Sequence, residues 1–320
     1  MAVQKEKHPS PLLKKGYSPS EHLSLLLKRG YSPFERSRCP PAVLPYVMAH
    51  PTRRASMQPL IHLHILASGS KGNATVVEGP TGSVLIDCGI SRKQLLLRTA
   101  ELDVDVTRVK AAIVTHEHSD HVKGLGVVTR GLAKLGVVPT LYVSNAVHAA
   151  SSEIRAIENA VDLRHFAAGD DIAVAGMWVH AFPTLHDAAE SFGFRVDCGG
   201  DSLGFMTDTG IVTGEACEAL ARCRVLALEA NHDLDMLEHG PYPYYLKKRI
   251  ASDHGHLSNL QSADLLESLL CDELEQVIGM HISETNNTYR LPDETLAAVL
   301  RRQSHPAHAQ VGYQDIATSI

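Results

Sequence analysis

The sequence predicts a mixed α/β (α+β) sandwich, and three observations carry that expectation. Short β-branched and apolar runs recur along the chain. Tight turns such as Gly79-Pro80-Thr81-Gly82 join the first of them. Helical spacings then alternate with the later runs. In order, residues 61–67, 74–78 and 83–87 read as a meander of strands, with the loop Ser68-Gly69-Ser70-Lys71-Gly72-Asn73 after the first. Residues 91–102 place Leu95, Leu96, Leu97 and Leu102 at helical spacing, and Ser91 can cap that helix. Residues 109–115 form a compact apolar run of buried-strand type, and part of 121–135 reads as helix despite its glycines. Further strands are expected at 141–144, 177–182, 193–197, 203–207, 225–230 and 276–280, and helices at 216–222, 259–270 and 293–302.

With 320 residues, 44% apolar and 21% charged, the balance excludes whole-chain disorder, collagen and coiled coil. The length suits one large domain or two smaller ones. No run of about 18 apolar residues occurs, so neither a spanning helix nor a membrane partner is expected. The net charge of −6 averages two unlike parts. Residues 1–56 hold ten Lys and Arg against three acids, a net +7, which leaves −13 for the other 264 residues. An acidic body argues against broad nonspecific attraction to nucleic acid. In the basic leader, residues 12–21 recur at 26–35, and Pro40, Pro41, Pro45 and Pro51 follow. Residues 1–56 are therefore expected to be a disordered extension before a hydrolase domain at 57–320, with Met57 an alternative first residue. Six cysteines with no C-x-x-C and no secretion signal suit reduced thiols in a cytoplasmic protein.

Histidine is the unusual count, at 19. Its densest cluster, Thr115-His116-Glu117-His118-Ser119-Asp120-His121, directly follows the run at 109–115. In an extended loop His116 and His118 project to one side, while Asp120 and His121 turn toward a second point. Glu117 and Ser119 point away on the same argument. Four N/O ligands so close together suit two adjacent metals better than one, and imidazole with carboxylate favours Zn²⁺, Mn²⁺ or Fe over Ca²⁺. His186, Asp208 and His281 each follow an expected strand and can complete two sites. Taken alone, a strand-end Asp more often makes a turn.

This pattern resembles the metallo-β-lactamase superfamily, whose signature is H-x-H-x-D-H, then a later His, a bridging Asp and a final His. The resemblance runs from about Leu60 to the C-terminus. It is closer to the YycJ/WalJ-like branch, on six blocks. These are Leu66-Ala67-Ser68-Gly69-Ser70-Lys71-Gly72-Asn73, Asp87-Cys88-Gly89-Ile90-Ser91, Glu229-Ala230-Asn231-His232-Asp233, Gly240-Pro241-Tyr242-Pro243-Tyr244, Gly255-His256-Leu257-Ser258-Asn259 and Ser283-Glu284-Thr285-Asn286-Asn287. The resemblance implies a four-layer αββα sandwich with the site at one edge of the sheets. It implies one divalent metal on His116, His118 and His186, a second on Asp120, His121 and His281, and Asp208 bridging both. A water shared by two cations loses a proton near neutral pH, and the resulting hydroxide would attack a phosphodiester in line. The branch further implies a nuclease, with DNA exonuclease activity among its members.

The last ligand stays open between His256, 48 residues after Asp208, and His281, 73 residues after it; His281 is favoured because it ends a strand. His256 precedes Ser258-Asn259-Leu260-Gln261, a capping box, where it could hold a phosphate or protonate the leaving oxygen. Asp120, His256 and His232 are thus the catalytic candidates. Substrate contacts are expected from Lys71, Ser258 and Asn259, and from Tyr244 and Lys247 in the aromatic and basic stretch 242–249, since aromatics stack bases and cations meet phosphates. A partly buried helix edge with snorkelling lysines is the structural alternative there. The alternative chemistry is a thioester or lactone hydrolase using the same metals. His118 argues against the diiron oxygen-reducing type, which has Glu at that place. The interval between Asp208 and His281 is short for the inserted domain of the RNA-processing β-CASP group.

Overall fold

The computed structural model describes Cys39 and residues 58–320. The expected extension at 1–56, Cys39 apart, and the alternative start at Met57 lie outside the described residues. Two seven-stranded sheets face each other. The first runs through β1 (His62–Ala67), β2 (Ala74–Gly79), β3 (Gly82–Ile86), β4 (Val109–Ile113), β5 (Thr140–Ser144) and β6 (Asp162–Phe166) in chain order. The second runs through β7 (Asp171–Val174), β8 (Met177–Pro183), β9 (Phe192–Cys198), β10 (Asp201–Met206), β11 (Val225–Glu229), β12 (Gln276–Met280) and β13 (His308–Val311). The final strand β14 (Thr318–Ser319) returns to the first sheet, where Ser319 pairs with His64 of β1. Each sheet begins antiparallel and turns parallel, from β3 to β6 in one and from β10 to β13 in the other. Parallel neighbours need crossovers, and the helices supply several of these.

The alternation of apolar residues builds three cores. On β11, Val225 and Ala227 enter the core between the sheets, where Phe194 and Phe205 also lie, whereas Leu226 and Leu228 face the outer helices. Those helices include Gly214–Leu220, Asn259–Leu269 and Arg290–Arg302. Outside the first sheet, Leu95 of helix Arg92–Glu101 and Val128 of helix Leu125–Ala133 pack on Val76, Leu85 and Ala112. The result is the expected four-layer αββα sandwich. Ser91 opens the helix Arg92–Glu101 as the expected N-cap, in a capping box with Gln94. Fully burying a side chain such as Phe194 stabilises the fold by about 1.5–3 kcal/mol. A buried ion pair also fastens the sheets: Arg224 grips Asp201 at 2.6 and 3.1 Å and donates to the Ile61 carbonyl, while Asp201 accepts from the amides of Leu60 and Ile61.

Three details differ from the sequence reading. Strands β6, β7, β13 and β14 were not expected; β6 reads Asp-Leu-Arg-His-Phe and lies at a sheet edge, where one side of the ladder meets solvent and polar residues are tolerated. Strand alternation puts His62 and His64 on one face, expected to point outward, yet His64 is buried, with Nδ1 2.6 Å from the Ser319 hydroxyl and Nε2 3.4 Å from Glu78. Cys39 and Cys217 form a disulfide with their Cα atoms 5.5 Å apart, so the thiols are not all reduced. Its 178-residue separation leaves no local spacing signal. Cys88, Cys198, Cys223 and Cys271 are free, the first three buried.

Candidate metal centre

Strand β4 ends at Ile113, the chain bends at Thr115, and a helical turn follows at Ser119–Val122. His116 and His118 then join one ligand-type set while Asp120 and His121 join another, although the His116 and His121 rings also lie 4.1 Å apart. Asp87, just past β3, holds the loop in place. Its carboxylate accepts from the Thr115 amide and hydroxyl at 2.8 Å each and lies 2.7 Å from His121 Nδ1. The fit is close: a Cβ on Gly89 would stand 1.5 Å from the Asp120 carbonyl oxygen, so only glycine lets the two loops meet. Asn73 Nδ2 lies 3.2 Å from Asp120 Oδ2 and 3.0 Å from His121 Nε2. Glu117 turns away and accepts from the Ala189 amide, and Ser119 is exposed.

The second sheet supplies the rest from its strand ends, where an α/β sheet commonly presents its ligand sites. His186 follows β8, Asp208 follows β10 and His281 follows β12. Asp87, Asp208 and His281 all hold positive φ, at 58°, 57° and 53°, a region that costs non-glycine residues energy and persists where surroundings enforce it. For His281 the enforcing contact is its amide, which donates to Ser68 Oγ at 2.7 Å.

The side chains converge in overlapping sets whose ligand atoms lie within 4.8 Å of one another. One set is His116, His118 and His186; another is Asp120, His121 and His281. Asp208 joins His116 and His121 in a third, and Glu229, His256 and His281 in a fourth. Asp208 Oδ2 is 3.5 Å from His121 Nε2, and Oδ1 is 3.1 Å from His281 Nδ1. Three buried atoms here, His116 Nε2, Asp208 Oδ2 and His281 Nε2, have no hydrogen-bond partner. A buried polar atom left unpaired costs about 1–3 kcal/mol. Three in one cluster, all of metal-ligating type, fit divalent cations.

Charge is balanced locally. Burial opposes ionisation of Asp120, yet His121 and His281 hold its carboxyl well below the usual range. His116 is driven down by burial and by its imidazole neighbours, so it is neutral and able to ligate. His281 moves up to about 10: burial opposes this, but Asp208, Asp120 and Glu229 outweigh it.

Two buried carboxylates of the site carry no role in the sequence reading. Asp87 is one. Glu229 is the other: fully buried at the end of β11, it accepts from the Thr209 and Leu257 amides and lies 2.7 Å from His256 Nδ1 and 3.2 Å from His281 Nδ1. Despite burial, those two histidines pull its carboxyl below the ordinary range. A strand-end position, the signal that marked Asp208, would have found it.

A cleft of about 240 Å³ opens over the cluster, bordered by Ser70, Asn231, Tyr242, Arg249, His256 and Ser283. His256 stands beside the ligand-type residues, its ring 4.9 Å from that of His186 and 5.2 Å from that of His281. His281 belongs to sets on both sides of Asp208, whereas His256 belongs to one. His232 is buried and does not border the cleft; its Nδ1 has no partner, and burial brings its pKa to about 3.

The expected substrate contacts fare differently. Ser258 and Asn259 are not available to a substrate: both are buried, Ser258 in the capping box and Asn259 against Asn287. Lys71 is exposed and paired to Glu284 at 2.6 Å. Tyr244 and Lys247 belong to the helix Tyr244–Ile250 but do not border the cleft. Lys247 donates to the Glu238 carbonyl, and Lys248 Nζ lies 5.0 Å over the Tyr244 ring.

Comparisons agree with this architecture. Residues 83–282 match the β-lactamase superfamily domain. The chain is 33% identical over 245 residues to an exodeoxyribonuclease YycJ of Bacillus anthracis, covering 76% of this chain and 90% of that protein. It is 32% identical over 234 residues to an exodeoxyribonuclease WalJ of Streptococcus pneumoniae, covering 72% and 85%. Among solved structures, the metallo-β-lactamase fold protein YhfI from Bacillus subtilis superposes with a TM-score of 0.61 at 12% identity, over 81% of this chain and 99% of that one. A diphosphatase of the PhnP family gives 0.57 at 18% identity, over 81% and 97%.

Proposed function

The chain belongs to the metallo-β-lactamase superfamily, and from that premise we propose that it is a dinuclear metal-dependent phosphodiesterase that removes nucleotides from DNA ends. The observation that carries this reading is the cluster of four overlapping ligand sets, two of which contain Asp208, beneath an open cleft. His116, His118 and His186 would hold one cation and Asp120, His121 and His281 the other, with Asp208 between them. Zn²⁺ or Mn²⁺ suits these donors, and Fe is also compatible. Such cations, when bound, supply the positive charge that a phosphodiester needs as its phosphoryl oxygens gain charge. The relatives named for exodeoxyribonuclease activity support the choice of DNA.

The chain's own residues do the rest. Asp87 and Asn73 orient His121 and Asp120. Glu229 engages His256 through Nδ1, leaving the other ring nitrogen free for the cleft. Hydrolysis adds water across one P–O bond, so phosphorus gains a hydroxyl and the departing oxygen needs a proton; in this reading His256 donates it. His232, behind the cleft, is a positioning residue in this scheme.

The test offers end-labelled single- and double-stranded DNA, RNA and a thioester to protein loaded with Mn²⁺ or Zn²⁺. Release of mononucleotides from DNA is expected. Turnover of the thioester alone would reject the phosphodiesterase.

A further inference from the structure

Ser283 borders the cleft just past His281, at the head of a turn over residues 284–286. Its amide donates to the Asn231 carbonyl at 2.8 Å, and its hydroxyl oxygen accepts from the Thr285 and Asn286 amides at 3.4 and 3.1 Å. Asn286 is buried, and its carbonyl accepts from the Asp233 amide at 2.9 Å, so the turn is fixed from behind. A serine hydroxyl offers two lone pairs and one hydrogen. The two amides occupy the lone pairs, and among the described residues no group accepts the hydrogen. Ser283 is only 9% exposed, so the cleft is where that hydrogen can find an acceptor. The cleft is also short of cations. Asp120, Asp187 and Asp208 border it, and Arg249, the one Lys or Arg among its described bordering residues, is ion-paired to Asp187. A phosphate oxygen turned away from the ligand cluster therefore depends on neutral donors. Asn231 spends its Nδ2 on the His281 carbonyl at 2.9 Å, and the Ser70 hydroxyl is exposed. The Ser283 hydroxyl is the donor that is both unspent and held in place.

We propose that Ser283 donates its hydroxyl hydrogen to one non-bridging oxygen of the phosphate under attack, and so fixes which way that phosphate faces. The inference rests on the phosphodiesterase reading above and adds a substrate-orienting residue to it. No bond is made or broken at Ser283, which remains a hydroxyl throughout. With its oxygen already anchored by two amides, the side chain has little freedom left to lose when the substrate arrives, so more of the bond's strength appears as affinity. A phosphodiester has two non-bridging oxygens, and one hydrogen serves only one of them. The contact therefore tells the two faces of the phosphate apart.

The experiment uses the full chain loaded with Mn²⁺ and three DNA strands that differ only at the first linkage cleaved. One carries the ordinary phosphate, and the others carry the two phosphorothioate diastereomers, with sulfur, a poor hydrogen-bond acceptor, in place of one or the other non-bridging oxygen. Losing one hydrogen bond to a charged group lowers kcat/KM about 10- to 150-fold, so Ser283→Ala should cost that much on the phosphate and on one diastereomer, and almost nothing on the other. Ser283→Thr keeps the hydroxyl and should match wild type on all three. Calorimetry with inorganic phosphate and the loaded protein reads the same contact without turnover: Ser283→Ala should weaken binding by a similar factor, and Ser283→Thr should not. Equal loss on all three strands would show that Ser283 merely holds its turn. That result, no loss on any strand, an unchanged phosphate affinity, or a Thr variant as impaired as the Ala variant would each overturn the assignment. Wild-type protein that cleaves no phosphodiester refutes the proposed function itself; cleavage in which Ser283→Ala does not distinguish the diastereomers refutes this inference alone.

Discussion

Replacing Glu229 by Gln probes the most deeply buried carboxylate of the site with almost no change in size. The amide oxygen can keep the Thr209 and Leu257 amides, which now lie at 3.0 and 3.1 Å. The NH₂ group must then face His256 and His281, where Glu229 Oε1 sits 2.7 and 3.2 Å from two imidazole nitrogens. Two bonds to a charged group, worth about 1.5–3 kcal/mol each, are lost together, so roughly 3–6 kcal/mol is at stake. For a domain of this size each kcal/mol shifts Tm by about 2–4 °C, giving a fall of roughly 6–24 °C. Thermal melting should be followed on metal-stripped protein, because bound cations would mask the loss. A Tm within about 2 °C of wild type would refute the claim that an ionised Glu229 binds both histidines.

Asp208→Ala should reduce metal content below two equivalents by elemental analysis and abolish hydrolysis while the circular dichroism spectrum persists; full activity would sink the bridging assignment. Asp201→Ala leaves the buried Arg224 with only the exposed Glu275 carboxylate 3.5 Å away, so a loss of about 3–5 kcal/mol in urea unfolding is expected, and a loss under about 1 kcal/mol would contradict it. His232 titrates near 3 in the fold against 6.5 when free, so the unfolded chain takes up the proton first as pH falls. The stability it contributes is whole above pH 6.5 and is lost on descending toward pH 3, about 5 kcal/mol in all. The urea midpoint of His232→Gln should therefore fall less steeply between pH 7 and 4 than that of wild type, and parallel curves would count against the burial argument.

The parts of the fold legible in sequence were those whose burial is strong and periodic. β11 and β12 are apolar on both faces because helices cover one and the opposite sheet the other, and such runs stand out in a polar background. The H-x-H-x-D-H loop was legible because packing has no use for it. Edge strands such as β6 were not, since their side chains answer to solvent as much as to a core. Asp87 and Glu229 escaped notice for a different reason: each acts on another residue's side chain, and a partner 34 or 27 residues away leaves no spacing to read. Ser258 and Asn259 illustrate the opposite error. Their sequence announced a helix start correctly, but the Ser258 hydroxyl is taken by the Gln261 amide and the Asn259 side chain by Asn287.

On the proposed ligand assignment, each cation draws donors from both sheets: residues 116–121 from the first, and His186, Asp208 and His281 from the second. Neither half of the chain can complete a coordination sphere alone. A nascent or partly folded chain, with one sheet formed and the other not yet docked, would therefore be without hydrolytic power. A nuclease built this way is kept inert until its own assembly is finished, a safeguard that follows from the architecture and needs no separate inhibitor.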